Sequence, residues 1–258
     1  MKKTLQVANG IALFQTIFVN YFSITGKFGG NTVKTVSDGY KNLFTPAGYA
    51  FSIWGFIYML LFAFVIYQGI GLFKKRDDDD FVLKIGWWFV ASCMVNSMWV
   101  VVWVYEFIGL SVLIILILLF SLLKIVVNTN MANGKASPQT KVFVWLPFSI
   151  YSGWVTVASI AAVAAWLTKI EWNGFGIPEV TWTIVMICIA GAVNLFMTWN
   201  RNMPLFSLVG VWALLAIAVA NRYENPVIVQ AACLASVILL ISAGIHFFRN
   251  KNVKGGSR

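Results

Sequence analysis

Eight stretches of mostly apolar residues alternate with polar connectors along the chain, at roughly 4–24, 48–72, 86–105, 107–128, 142–167, 180–199, 204–221 and 226–248. Each reaches or approaches the ~20 residues that a helix needs to cross a hydrocarbon core. None alternates at period two as a membrane strand would, so the pattern predicts an all-α polytopic membrane protein of eight helices. The first connector, about 25–47, is long and carries Gly26, Gly29, Gly30 and Gly39. Connectors of that length in a compact fold are usually lids or binding loops. The third and fourth stretches are separated only by the turn at Glu106–Gly109, which predicts an antiparallel hairpin.

Composition agrees. Hydrophobic residues make up 60% of the chain and charged residues 11%, with a mean hydropathy of +0.80. The lipid bilayer is therefore the first partner. The net charge of +10 raises nucleic acid as another, but its distribution points elsewhere. Of the nineteen Lys and Arg, five (Lys27, Lys34, Lys41, Lys169, Arg222) fall on one side of the eight-span topology and fourteen on the other. The positive-inside bias puts both termini in the cytoplasm and leaves no nucleic-acid footprint. The first apolar stretch lacks a small-x-small cleavage site and is interrupted by Gln15 and Asn20, so it reads as a retained helix. The expected location is a bacterial inner membrane.

Intramembrane charge is the usual mark of transport or proton relay, and here it is scarce. Glu106, Arg201, Arg222 and Glu224 lie at predicted helix ends, and Lys124 sits where its stem can snorkel to the surface. The one histidine, His246, reads as interfacial. The acidic run Asp77–Asp80 reads as a solvated turn beside Lys74, Lys75 and Arg76. Cys93, Cys188 and Cys233 have no paired spacing and read as small core residues, not as a disulfide or metal framework. No nucleophile–base constellation or metal ligand set emerges, so the sequence assigns no catalytic residues and no metal.

Instead, the spans carry indoles, phenols and amides. After the turn Thr45-Pro46-Ala47-Gly48 come Phe51, Trp54 and Tyr58 at i, i+3 and i+7, which share one helix face. Asn96, Trp99 and Trp103 repeat that spacing in the third span, as do Tyr151, Trp154 and Ala158 in the fifth. Interfacial belts account for Trp87, Trp88, Trp145, Trp166, Trp172 and Trp182. Trp54, Trp99, Trp103 and Trp154 lie deeper, and Asn96 needs a partner away from water. From the residues alone, these faces fit a binding cavity and a helix-packing core equally.

The same residues resemble the tryptophan-rich sensory protein family (TspO, or translocator protein). That family opens its second helix with Thr-Pro-Pro-x-Trp-x-Phe and then Trp-x-x-x-Tyr. Here the matching residues are Thr45, Pro46, Ala47, Tyr49, Phe51, Trp54 and Tyr58. Asn96 and Trp99 match its third-helix Asn-x-x-Trp; Pro147-Phe148 and Trp154–Ala158 match its fifth-helix motif loosely. Departures fall at Ala47 and Tyr49, in a residue missing between Phe51 and Trp54, in three extra residues between Pro147 and Trp154, and in the absence of the fifth helix's closing Asn. The likeness covers about residues 1–167, so residues 168–258 read as a C-terminal extension of three further helices and a basic tail.

The resemblance implies a five-helix bundle with an aromatic pocket under the first loop, and a homodimer in the membrane. It also implies a small hydrophobic ligand such as a tetrapyrrole, haem or porphyrin, in a receptor-like or transport role. Tyr49, Phe51, Trp54, Tyr58, Asn96, Trp99, Trp103, Tyr151, Trp154 and Ala158 would then line the site. Pro46 would belong to the lid, and Lys34 and Lys41 could pair with propionates. With no His in the pocket, stacking is expected in place of axial ligation of iron. Two alternatives remain open: a secondary transporter of a hydrophobic solute, suggested by the eight spans, and a porphyrin-degrading membrane enzyme.

Overall fold

A computed structural model describes residues 1–74 and 80–255. Helix α1 (Lys2–Ile24) leads into a loop that holds the short helix α2 (Val33–Gly39). A 3₁₀ turn, Gly48–Ser52, runs directly into α3 (Ile53–Gly69) and ends in a second 3₁₀ turn, Ile70–Leu72. Helix α4 (Asp80–Ile85) meets α5 (Trp88–Val104) at Gly86, whose φ of +56° makes the bend possible. Helix α6 (Ile108–Asn128) follows after a turn that holds Glu106 at φ 60°. Residues Pro138–Thr140 (α7) and a π-helical turn, Lys141–Trp145, lead into α8 (Leu146–Lys169). Three more helices close the chain: α9 (Glu179–Asn200), α10 (Pro204–Ala220) and α11 (Pro226–Gly255).

Among the described residues six helical stretches are long and apolar enough to cross a membrane; α5 and α10, at 17 residues each, are shorter apolar helices. These eight reproduce the order of the eight predicted segments. Local chemistry marks several boundaries. Thr32 and Thr35 form a reciprocal capping box on α2. Ser137 accepts from the Thr140 amide to start α7, and Pro204 occupies the first turn of α10, where a missing N–H costs nothing.

Helix α1 shows how such a bundle orders itself. Val7, Ile11, Phe14 and Phe18 point outward, while Gln6, Asn9, Thr16 and Asn20 are buried against α3 and α5. Gln6 and Asn9 donate to Gln68 of α3 at 2.7 and 2.9 Å, and Asn20 donates to Asn96 of α5 at 2.9 Å. Apolar-out and polar-in is the arrangement that lipid imposes, because an amide facing hydrocarbon has no partner.

Helices α5 and α6 form the expected hairpin, α6 packs on α8, and α8 closes against α3. The C-terminal helices pack tightly on one another and dock through α10 onto α8 and the Gly48–Ser52 turn. Gly153 of α8 lets the backbones approach: a Cβ there would lie 3.1 Å from the Phe206 carbonyl and 3.2 Å from Val209.

The structure bears on several residues outside the aromatic faces. Cys93 is buried, but Cys188 and Cys233 face outward and are not core residues. His246 is buried, edge-on to Trp199 at 5.3 Å, where α11 packs on α9, and is not an exposed interfacial residue. Asn194 is buried against α10, and Trp199 donates to Ser242 at 2.8 Å, so both residues pack the C-terminal helices together. Of the acidic run, Asp77–Asp79 lie outside the described residues, as do Lys75 and Arg76.

Candidate ligand site

Beneath the first loop the aromatic faces meet. Trp54 and Tyr58, one turn apart on α3, stack at 5.7 Å and 20°. Trp54 then packs on Trp99 at 6.2 Å, and Trp99 stacks on Trp103 at 5.6 Å and 25°. From α8, Tyr151 and Trp154 meet Trp54 edge-on at 5.9 and 6.4 Å. Phe51, held in the 3₁₀ turn, meets Trp154 edge-on at 6.3 Å. Offset and edge-to-face geometries of this kind each add roughly 0.5–1.5 kcal/mol beyond area burial.

Above this ladder lies a cavity of about 50 Å³. Its walls are Phe51, Trp54, Trp99, Trp103, Trp154, Val157, Ala158, Ala161, Ala162 and Ala165, with Ala213 and Ile217 from α10; the loop supplies the roof through Val33, Ser37, Phe44, Thr45 and Pro46. Among the described residues no charged side chain lines it. Sites for drug-sized ligands run to roughly 300–1,000 Å³, so a large flat ligand enters only if the roof lifts and the indoles part.

Of the residues expected to line a site, Phe51, Trp54, Trp99, Trp103, Trp154, Ala158 and Pro46 come together around this cavity. Tyr58, Asn96 and Tyr151 lie behind Trp54, outside the lining. There the Tyr58 hydroxyl donates to Asn96 Oδ1 at 3.3 Å, sharing that acceptor with Asn20. Tyr49 turns away and packs edge-on against Trp212 of α10 at 5.3 Å. Lys34 and Lys41 are not in the lining either: on the solvent side Lys34 pairs with Asp38, and Lys41 pairs with Glu224 at 2.6 Å. Their ammonium groups stay where water and carboxylates are available, so neither points a charge at the cavity.

Among the described residues, the buried indole N–H groups of Trp99 and Trp154 have no hydrogen-bond partner. An unmet buried donor costs about 1–3 kcal/mol. Trp103, by contrast, donates to the Val33 carbonyl at 3.0 Å and ties α5 to the loop. Among the described residues no group of three or more His, Cys, Asp or Glu could hold a metal ion.

The roof is fastened mainly to the C-terminal helices. Ala47 N–H donates to the Ala216 carbonyl at 3.0 Å. Trp212 donates to the Ala50 carbonyl at 3.3 Å and Asn221 to the Leu43 carbonyl at 2.9 Å. The Leu43 amide donates to Glu179 at 2.9 Å. On the other flank, Tyr40 donates to Glu106 at 2.8 Å, and that carboxylate raises the phenol's pKa above its ordinary value. The α10 wall was not foreseen from sequence. Its signal was a run of small residues, Ser207, Gly210, Ala213 and Ala216, at a spacing of three.

A family model described as TSPO-like protein matches residues 6–245 of the chain. The match continues through all three C-terminal helices, beyond the motif resemblance that ends near residue 167. No curated protein and no solved structure matches the chain.

Proposed function

The chain belongs to the TSPO-like protein family, and from that premise we propose that this integral membrane protein binds a flat, largely apolar molecule bearing hydrogen-bond acceptors, with tetrapyrroles as the leading class. The observation that carries this reading is the pair of unpartnered indole donors on Trp99 and Trp154, both in the wall of the cavity. Stacked indoles suit an extended π-surface, while unmet N–H groups favour a ligand that presents carbonyl, carboxylate or similar oxygens. The uncharged lining supports an acceptor held by neutral donors, with any ionised group of the ligand left outside under the loop. No carboxylate is buried among the described residues, which favours a binding or sensing role over ion-coupled transport. Lifting of the roof would admit the ligand. The distribution of Lys and Arg supports a roof on the non-cytoplasmic side with both termini in the cytoplasm.

Titration of the purified protein with protoporphyrin, followed by quenching of tryptophan fluorescence, tests the proposal. Saturable quenching at micromolar ligand is expected. Trp99→Phe plus Trp154→Phe, which keeps aromatic surface but removes both orphan donors, should weaken binding about tenfold or more. Absence of quenching, or an unchanged affinity in the double variant, would refute it.

A further inference from the structure

A second cavity, of about 460 Å³, lies beside the roof between the end of α8 and the start of α9. Its floor is aromatic: Trp172 and Trp182 pack at 5.1 Å and 55°. The pair is held in place, since Trp182 donates to the Gly174 carbonyl at 2.9 Å and Phe175 meets Trp172 edge-on at 5.3 Å. Three charged side chains line the same space: Lys41, Glu171 and Glu179. Lys41 is already paired with Glu224. Glu179 accepts only the neutral Leu43 amide among the contacts of its carboxylate. Glu171 sits on a backbone held at φ 52°, at the turn that ends α8. Among the described residues neither Glu171 nor Glu179 forms a salt bridge, so the cavity joins two indole faces to carboxylates while its lysine is paired elsewhere.

We infer that this cavity is a binding site for an organic ammonium group, separate from the indole ladder and independent of what that ladder binds. Indole faces attract cations through the ring quadrupole, and a nearby carboxylate adds attraction that water only partly screens. A metal ion is a poorer fit, because apolar rings and Leu167, Ile177 and Met186 occupy much of the lining and hard cations require a shell of oxygens. The ammonium could come from a free quaternary amine or from the headgroup of a lipid at the membrane edge; the recognition chemistry is the same.

Calorimetric titration of the purified full-length protein with choline, against its neutral carbon isostere dimethylbutanol, tests the site. Choline should bind at least about threefold to tenfold more tightly than the isostere. Glu171→Gln and Trp172→Leu should each weaken choline by a similar factor, while protoporphyrin titration of the Glu171→Gln protein is unchanged. Equal binding of choline and isostere, no choline binding at millimolar concentration, or full affinity in both the Glu171→Gln and the Trp172→Leu protein would overturn the proposal. Repeating the titration in nanodiscs distinguishes the sources. Weaker apparent choline binding in phosphatidylethanolamine than in phosphatidylglycerol supports a lipid-borne ammonium, and equal binding in both supports a free one.

Discussion

The backbone amide of Ala47 donates to the Ala216 carbonyl across 3.0 Å, and so fastens the turn before α3 to the middle of α10. In the TspO pattern this position is the second proline, which has no N–H to give. The neighbouring departure, Tyr49, packs on Trp212 of the same helix. Both deviations from the motif therefore fall where the C-terminal helices grip the loop.

That grip can be tested with one substitution. Ala47 has φ −56° and ψ 144°, a φ that proline adopts without strain, so Ala47→Pro deletes the hydrogen bond and little else at that residue. The expected local loss is about 0.5–1.5 kcal/mol. Hydrogen exchange of the amides in residues 42–50 should accelerate by roughly the corresponding twofold to tenfold, and unchanged exchange would show that the bond does not hold the loop.

Packing of α10 on α9 gives a second expectation. A Cβ at Gly210 would stand 2.6 Å from the buried Asn194 side chain, whose amide donates to the Ala190 carbonyl at 2.8 Å. Gly210→Ala should cost about 1–3 kcal/mol through overpacking. Adding Asn194→Ala removes the obstacle, so the double variant should regain most of the loss in thermal unfolding. Additive effects would show that the two residues do not contact each other.

The α10 wall bears on ligand access. Ala213 faces a gap of only about 50 Å³, so Ala213→Leu should fill it. Protoporphyrin affinity is then expected to fall about tenfold, with a stability change within the ~1–3 kcal/mol of an overpacked core. Fluorescence titration beside a melting curve separates the two effects, and unaltered affinity would place the ligand elsewhere.

Alkaline pH probes the other flank of the loop. The Tyr40 phenol is raised above its ordinary pKa, first by donating to Glu106 and then by partial burial. A group with a raised folded pKa contributes stability that is intact below its unfolded value, near 10, and lost as pH climbs through the folded value. Protection of the loop amides, taken relative to the intrinsic base-catalysed rate, should therefore fall above pH 10 in the native protein, and in Tyr40→Phe should be lower at neutral pH with no further alkaline fall. An alkaline step that persists in Tyr40→Phe would assign it to another group.

The helices were legible in the sequence because lipid leaves little freedom. A long apolar run bounded by Thr-Pro-Ala-Gly at one end and Lys74 at the other can hardly be anything but the Gly48–Leu72 span. The indole ladder was legible because Trp54, Trp99 and Trp154 each sit in an i, i+3, i+7 set on their own span. The docking of the last three helices was not. Helix α10 is apolar all round, so hydrophobicity does not reveal which face meets protein and which meets lipid. Only the small residues Gly210, Ala213 and Ala216 carry that information, through how closely backbones approach. Lys34 and Lys41 fall in the loop as read, but sequence does not give the carboxylates, Asp38 and Glu224, that they pair with.

The two 17-residue helices, α5 and α10, are also two of the walls of the aromatic cavity. At 1.5 Å per residue such a helix reaches about 25 Å, short of the ~30 Å hydrocarbon core of a typical bilayer. Hydrophobic mismatch therefore falls first on the helices that carry Trp99, Trp103, Ala213 and Ile217. A thin membrane accommodates them, and a thick one pulls on them or dimples around them. A bilayer of longer acyl chains would therefore load these two walls of the cavity before the others.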